Sequence, residues 1–347
     1  MTTEKIRLTS FSKSSGCGCK LAPALLDEIL KGTSFNQNNE LLIGIESKDD
    51  AAVFSLSNTN CLILTNDFFT PVVDDPFHFG QIAAANSISD IYAMGGTPLV
   101  AVSILGFPSE KLEVNVATKI LAGGIDICNK AGIPLAGGHT IEAPEPFFGL
   151  AVNGTANKKH IKRNNTAKPG NLLLLTKPLG TGIFSTAIKR QKLEPMDYAI
   201  FIHQATALNK VGQRLGKVKA VDAMTDVTGF GLLGHLAEMC EGSGTSAELF
   251  YNKLPLLPNL SKYTGMMMIP DNTYRNWNSV EKQVNGITPE SFLTLNDPQT
   301  NGGLLISVDP AGLSEVERIL KQYSNNTPIV IGEMKEKSDS LINVTHT

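Results

Sequence analysis

Two cysteines and a lysine lie close together near the start of the chain, in the sequence SSGCGCK at residues 14–20. The surrounding serines and glycines disfavour a helix or strand interior, so we predict a flexible segment. The alternatives for this cluster are half of a metal site, a redox pair, a nucleophile, or an accident of sequence. Structural zinc needs about four ligands, and two cysteines one residue apart make a disulfide of poor geometry. Cys17 or Cys19, with Lys20 nearby to lower the thiol pKa, is therefore a candidate nucleophile.

Five aspartates form a second pattern, because each one follows an apolar run, precedes one, or interrupts a helix of small residues. They are Asp49, Asp50, Asp67, Asp90 and Asp226. Taken singly, each fits a cap, a turn or a surface pair. Taken together they favour a site for a hard cation, and Mg²⁺ with a polyphosphate is the commonest use of such a site. The cation would lie between phosphates and carboxylates that otherwise repel each other.

Glycine-bearing turns supply further candidates for contact with a phosphate. In the sequence LAGGHTIEAPEP, Gly138 permits close backbone approach, and His139 and Thr140 add polar groups. An ordinary glycine turn is the equally weighted alternative. The sequence GFGLLG at residues 229–234 fits a dinucleotide fingerprint, but no acidic residue follows at the spacing that holds a ribose. A Walker A sequence is absent.

Strands and helices alternate along the chain and must position these residues. Apolar runs predict strands at 62–65, 99–105, 133–138, 147–156, 172–176 and 304–308. Helical periodicity predicts helices at 22–31, 79–94, 109–132, 181–190, 198–215, from 229 onward, and at 313–323. This alternation predicts an α/β (α+β layered) architecture.

The composition changes at NKKHIKRNNTAKPGN, residues 157–171, which is polar and basic and ends close to a Pro-Gly pair. We expect a domain boundary here, between an N-terminal domain at 41–157 and a C-terminal domain at 158–347. A Gly/Ser-bearing segment at 1–40 precedes them. We interpret the basic run as a solvated loop in preference to a polyanion site, because most charge runs only face solvent.

The 347-residue chain is 42% hydrophobic and 18% charged, as in a globular protein large enough for two domains. Its formal net charge of -3 gives no electrostatic basis for nucleic-acid binding. The first residues are polar and lack the apolar stretch of a signal peptide, and no run approaches the length of a membrane span, so we expect neither feature. Cys61, Cys128 and Cys240 are isolated in apolar contexts and are predicted core residues. We expect a soluble, reduced, cytoplasmic protein with no nucleic-acid or membrane partner.

Seven motifs in order resemble those of the selenophosphate synthetase (selenide, water dikinase) family. They are SSGCGCK, KDDAAVF, TNDFFTPVVDDPFHFGQIAAANSISDIYAMGGTPL, LAGGHTIEAPEPFFGLAV, TKPLGTG, MTDVTGFGLLGHL and DPQTNGGLL. The resemblance extends over residues 6–308. One departure is Asn301, which stands where the family has serine, and asparagine also suits a tight turn.

The resemblance implies a fold, a reaction and a set of partners. The family belongs to the superfamily of aminoimidazole ribonucleotide synthetases, with a two-domain (PurM-like) fold. Its members convert ATP, selenide and water to selenophosphate, AMP and orthophosphate, using Mg²⁺ and often K⁺. They are homodimers whose N-terminal sheets join into a barrel. A selenium-delivery protein is a further partner that this chemistry allows.

The resemblance also assigns roles to residues. Cys17 matches the catalytic cysteine, whose role stays open between holding selenium and orienting selenide, and Lys20 matches a catalytic, phosphate-contacting lysine. The matching magnesium ligands are Asp50, Asp90 and Asp226. The matching ATP-binding positions are Lys20, Ser47, Lys48, Asp49, Asp67, Asp90, Gly138, His139 and Thr140, the last three contacting ATP within the chain or from a partner subunit.

Two rival interpretations remain at the level of sequence. Another ATP-using member of the superfamily, such as a thiamine-monophosphate kinase, shares the fold but not the GCGCK sequence. A thiol carrier of selenium would share that sequence but has no use for several magnesium ligands. The combination of both features favours the synthetase.

Overall fold

The computed structural model describes residues 7–12, 23–31, 38–45, 48–323 and 329–346. Two mixed sheets and the helices around them make up this part of the chain. The α/β class predicted from the alternation of elements is confirmed. The helices are α1 Pro23–Lys31, α2 Pro76–Ala93, α3 Val114–Ala131, α4 Thr181–Lys189, α5 Pro195–Thr206, α6 Val211–Leu215, α7 Gly231–Ser243, α8 Leu260–Gly265, α9 Asp271–Val280, α10 Pro289–Leu295 and α11 Leu313–Tyr323.

The first sheet is built from the N-terminal half of the chain. Its strands are β1 Leu41–Ile43, β2 Ala52–Ser55, β3 Asn60–Phe69, β4 Thr97–Phe107, β5 Leu135–Glu142 and β6 Phe147–Asn157. In the described residues their order is β1-β2-β3-β6-β4-β5, and all neighbours are antiparallel except the parallel pair β4 and β5. The strand β5 therefore lies at the edge of the sheet.

The second sheet is built from the C-terminal half of the chain. Its strands are β7 Leu172–Leu175, β8 Val221–Asp226, β9 Ser246–Phe250, β10 Val284–Asn285, β11 Leu304–Val308, β12 Ile329–Lys335 and β13 Ile342–Thr345. Among the described residues the order is β10-β13-β9-β12-β7-β11-β8. Strand β8 is thus an edge strand, and its last residue is Asp226.

Helix α2 lies between the two halves of the molecule. Residues 79–89 are all buried, as expected for a helix that is apolar or small on every side. Glycine lets α3 approach closely, because a Cβ added to Gly123 would lie 2.0 Å from the carbonyl oxygen of Phe77. This contact explains why α3 tolerates internal glycines. Because α2 lies between the two halves, its polar side chains extend from the first sheet toward the second.

Three predicted elements are wrong in detail. The strand predicted at 62–65 is the longer β3, so Asp67 lies inside the strand and not at its end, because the ladder with β6 continues to Phe69. The helix predicted at 198–215 is interrupted, because α5 ends at Thr206 and α6 begins at Val211 with Asn209 between them. The strand predicted at 133–138 does not end in a glycine loop, since β5 continues in register with β4 as far as Glu142. Parallel pairing with β4 supplies the backbone partners that a sequence-based turn prediction does not consider.

The cores contain the cysteines that the sequence predicts there. Cys61, Cys128 and Cys240 are buried and reduced, and burial raises the pKa of the Cys128 thiol to about 11. No helix of the described residues is long and apolar enough to span a membrane.

Candidate active site

A cavity of about 310 Å³ lies where the two halves of the chain meet. Its walls come from α1, the loop between β1 and β2, strand β3, helix α2, strand β8, the connection after β8, and α7. The acidic residues that line it are Asp49, Asp50, Asp67, Asp90, Asp226 and Glu238. The sequence-predicted aspartates are therefore brought together, although up to 177 residues separate them in the chain.

Asp50 is the most strongly perturbed of these acids. Its Oδ1 accepts a hydrogen bond of 2.7 Å from Thr225, whereas its buried Oδ2 has no partner among the described residues. Burial, followed by the negative charges of Asp226 and Asp90, raises the pKa of Asp50 well above its usual range. A buried carboxylate beside two others is expected only where a cation binds or a proton is shared.

Neutral donors hold the acids that come from β3 and α2. Thr65 donates to Oδ2 of Asp90 at 2.5 Å, and Asn86 donates to Oδ2 of Asp67 at 2.7 Å. Asn86 lies one helical turn before Asp90, as the sequence predicts, and is fully buried. The backbone N–H of Asn301 donates to Oδ1 of Asn86 at 2.7 Å, which connects this group to the second half of the chain.

Asp226 ends strand β8 at the edge of the second sheet. Ser89 of α2 donates to its Oδ2 at 2.6 Å, so a residue of the first half orients a carboxylate of the second. Gly231, with φ of +70°, starts α7 five residues later, and its conformation favours glycine. The GFGLLG motif therefore serves a tight turn into α7 beside the cavity.

The basic segment at 157–171 is not the solvated loop that its composition predicts. Arg163 contacts Asp49 at 3.4 Å, and the backbone N–H of Asn164 donates to Asp49 at 2.8 Å. The Asn164 amide also donates to the carbonyl oxygen of Lys48, which is in a left-handed conformation with φ of +52°. Lys162 is buried and donates to two carbonyl oxygens. The segment thus fixes the turn that carries Lys48 and Asp49.

The donor set fits a magnesium ion. Carboxylate oxygens are ligands that Mg²⁺ prefers, and this ion usually keeps several waters beside them. The Oδ2 atom of Asp50 is a buried acceptor that lacks a partner in the described structure. In the described residues no group of three or more Asp, Glu, His or Cys side chains could by itself hold a metal ion. The arrangement therefore suits an ion that shares its coordination with phosphate and water.

The remaining predicted site residues are of two kinds. Cys17, Lys20 and Ser47 lie outside the described residues. Gly138, His139 and Thr140 are exposed on edge strand β5, and none of them lines the cavity within the chain.

Side chains of the second half line the cavity without having been predicted. Thr228, Phe230, His235 and Glu238 come from the β8–α7 connection and from α7. His235 Nε2 lies 3.3 Å from the Thr228 hydroxyl, and His235 Nδ1 lies 3.3 Å from Glu238. The spacing of His235 and Glu238 on one helix face was the available signal.

Both halves of the chain match models of one protein family. Residues 48–156 match the AIR synthase related protein N-terminal domain, and residues 168–343 match its C-terminal domain. The thiamine-monophosphate kinase structure from Stenotrophomonas maltophilia aligns with a TM-score of 0.66 at 19% identity, covering 94% of this chain and 96% of that one. The fold is therefore that of the AIR synthase related proteins, as the sequence predicts.

Relatives of higher sequence identity show to which family within the AIR synthase related proteins the chain belongs. The selenide, water dikinase of Colwellia psychrerythraea is 49% identical over 330 residues, which cover 95% of this chain and 96% of the relative. The enzyme of that name from Sulfurovum sp. is 48% identical over 340 residues, covering 98% of this chain and 99% of the relative. The chain belongs to the selenide, water dikinase family.

Proposed function

We propose that this enzyme is a selenophosphate synthetase, which converts ATP, selenide and water to selenophosphate, AMP and orthophosphate. The observation that carries the proposal is the cluster of buried and half-buried acids between the two halves of the chain, in which one carboxylate oxygen of Asp50 has no partner among the described residues. Family membership supplies the reaction, and the cluster supplies a place where a polyphosphate and its cation can bind.

Asp50, Asp90 and Asp226 are the proposed magnesium ligands, and Asp67 lies with them beside the phosphates. When bound, Mg²⁺ neutralises phosphate charge and orients the transferring group. The neutral donors Thr65 and Ser89 hold Asp90 and Asp226 in place without cancelling their negative charge. The acids can therefore meet the ion with little reorganisation.

Nucleotide binding involves the turn at Lys48 and Asp49, together with Ser47. Arg163 and Asn164 fix this turn from the other half of the chain, which supports a constant position for its backbone groups. Lys20 is proposed to add a positive charge at the transferring phosphate, and Cys17 to act on the selenium substrate.

The chemistry proceeds in two displacements. Selenide attacks the γ-phosphorus, so a selenium–phosphorus bond forms and ADP leaves. Water then attacks the β-phosphorus of bound ADP, which breaks the remaining phosphoanhydride bond and yields AMP and orthophosphate. Both steps place charge on phosphate oxygens, which positive groups and the cation stabilise.

A second copy of the chain is proposed to complete the site. Phe68 on β3 is exposed and pairs with Gly149 on the neighbouring strand β6. Gly149 pairs in turn with Ile104 on β4. Ile104 lies opposite His139 on β5, so His139 shares the open face of the sheet with Phe68. Ile141 adds another exposed apolar side chain on β5. An apolar sheet face at a strand edge is suited to joining the same face of another copy.

This arrangement explains why Gly138, His139 and Thr140 do not reach the acids of their own chain. We propose that they contact ATP bound to the partner's acids. The proposal has four further parts: a domain boundary between residues 157 and 158, K⁺ as an accessory cation, a selenium-delivery protein as a partner, and a cytoplasmic location. They rest on the sequence and on the family resemblance.

The products of the reaction test this function. Purified enzyme with Mg²⁺, ATP and selenide is expected to form AMP, orthophosphate and selenophosphate in equal amounts, measured by ³¹P NMR. Omission of selenide is expected to abolish AMP formation. Steady ADP formation without selenide would instead favour a kinase and would contradict the proposal.

A further inference from the structure

Asp226 is held by a chain of buried side chains that does not stop at its first partner. Ser89 donates to Asp226 Oδ2 at 2.6 Å, and Asn209 donates to the Ser89 hydroxyl oxygen at 2.8 Å. Ser89 is fully buried and Asn209 is almost so. Neither residue lines the cavity, so neither is placed to touch a bound nucleotide.

The orientation of the Asn209 amide is fixed by a second hydrogen bond. Its Nδ2 also donates to the carbonyl oxygen of Gly302 at 2.9 Å. A carbonyl oxygen can only accept, so the nitrogen of the amide must face it. Both amide hydrogens are thereby used, one on Gly302 and one on Ser89.

This geometry fixes the direction of the Ser89 hydroxyl. The oxygen of Ser89 accepts from Asn209, so its single hydrogen is left for Asp226. A hydroxyl that both accepts and donates in a buried chain is polarised and has one preferred rotor position. The carboxylate of Asp226 consequently receives a directed donor on Oδ2, which sets the rotation of its side chain.

The chain of donors also crosses between the two halves of the protein. Ser89 belongs to α2 of the first half, whereas Asn209 lies in the break between α5 and α6 of the second. Asp226 and Gly302 belong to the second half as well. The break in the predicted helix at 198–215 thus places an amide against α2, which a continuous helix would not do in the same way.

We propose that Ser89 and Asn209 are positioning residues for magnesium binding, acting through Asp226. Their function is to present this carboxylate to the ion in one orientation. The inference rests on the proposed function, because it assigns Asp226 to the metal. Groups that orient a metal ligand are known to change metal affinity by about 10- to 100-fold when removed.

The test is the dissociation constant for Mg²⁺ in the presence of a non-hydrolysable ATP analogue, measured by calorimetry. Ser89→Ala is expected to raise this constant about 10-fold or more. Asn209→Leu is expected to raise it less, because the hydroxyl remains but loses its orienting donor. In the double variant, Asn209→Leu should add nothing to the effect of Ser89→Ala, since it acts only through that hydroxyl.

A second serine–asparagine pair provides matched controls. Ser307 is buried in β11 and donates to Asn171 at 3.0 Å, away from the cavity. Ser307→Ala and Asn171→Leu remove the same chemical groups, and thermal denaturation of all variants reports the loss of stability. They are expected to leave the Mg²⁺ constant unchanged even where stability falls.

Two results would overturn the inference alone. One is an Mg²⁺ dissociation constant for Ser89→Ala that equals the constant for Ser307→Ala, in a series where the wild type binds Mg²⁺ and nucleotide together. The other is full additivity of Ser89→Ala and Asn209→Leu. A wild type without Mg²⁺-dependent nucleotide binding would overturn the proposed function and this inference together.

Discussion

Asp50 shows how strongly a single residue of the site depends on its surroundings. It is buried next to Asp90 and Asp226, and its pKa is raised by burial and by their charges. Its neighbour in sequence, Asp49, is also buried but accepts hydrogen bonds from Arg163 and Asn164. The two adjacent aspartates thus differ in their charged neighbours. Asp49 lies beside the cation of Arg163, whereas Asp50 lies beside two further anions.

Removing the charge of Asp50 should therefore stabilise the metal-free protein. We expect Asp50→Asn to raise the free energy of unfolding by about 1 kcal/mol in EDTA, because like charges are no longer buried together. Mg²⁺-dependent ATP binding should be lost in the same variant. Chemical denaturation and nucleotide titration measure the two effects.

The same substitution at Asp49 is the control. Asp49→Asn removes the partner of Arg163 and should lower the free energy of unfolding in EDTA. Equal changes of stability in both variants would contradict the account of the acid cluster.

The sequence was a good guide to the aspartates and a poor one to their partners. Carboxylates next to apolar runs and on a small-residue helix form a pattern that can be recognised along the chain. Arg163 contacts Asp49 across 114 residues of sequence, and no local pattern encodes that approach. His235 and Glu238 were missed for a similar reason, because their place on the cavity wall depends on where α7 begins.

The N-terminus of α4 is another feature that depends on a distant part of the chain. Asp297 Oδ2 accepts from the backbone N–H of Gly182 at 3.1 Å, and Gln299 Oε1 accepts from the N–H of Gly180 and Thr181. The turn of the DPQTNGG motif therefore supplies the acceptors that α4 lacks in its own sequence. Burial raises the pKa of Asp297 to about 8, although hydrogen bonds from Gln299, Gly182 and Ile183 act in the opposite direction.

The raised pKa of Asp297 predicts a pH dependence of stability. Between about pH 4 and about pH 8 the folded protein keeps a proton that the unfolded chain has lost, so this residue makes the free energy of unfolding fall as pH rises. Asp297→Asn should remove this contribution. Over that range the free energy of unfolding of the variant, relative to that of the wild type, should rise by up to about 1.4 kcal/mol for each pH unit.

Denaturant titrations at a series of pH values measure the difference between variant and wild type. Asp339→Asn, at an exposed position, controls for the change of net charge. A difference for Asp297→Asn that stays constant with pH would show that the carboxyl does not hold its proton in the folded state.

Elements were predicted best where their own residues determine them. Helix α2 has small and apolar residues throughout, and its bounds lie close to the prediction. The single helix predicted at 198–215 failed because α5 and α6 each pack separately, with Asn209 turned toward Ser89 between them. The predicted end of β5 failed because a parallel neighbour continues the pairing past Gly138.

At the scale of the whole molecule, the acids and the glycine-bearing strand lie in different places. The acids face a cavity between the two halves of one chain, whereas His139 and Thr140 are exposed on the edge strand β5. The family resemblance assigns both groups to ATP. The second copy proposed for the open apolar face of the first sheet would reconcile them by bringing β5 to the acids of its partner.

A purified heterodimer tests this shared site most directly. One subunit carries Asp226→Asn and the other carries His139→Ala with Thr140→Ala, and different affinity tags separate the heterodimer after co-expression. Each variant is expected to be inactive as a homodimer in selenide-dependent AMP formation. In the heterodimer, one of the two sites combines intact acids with an intact partner strand, so about half of the wild-type rate is expected. A heterodimer as inactive as its parents would contradict the shared site, as would full activity of the His139→Ala, Thr140→Ala homodimer.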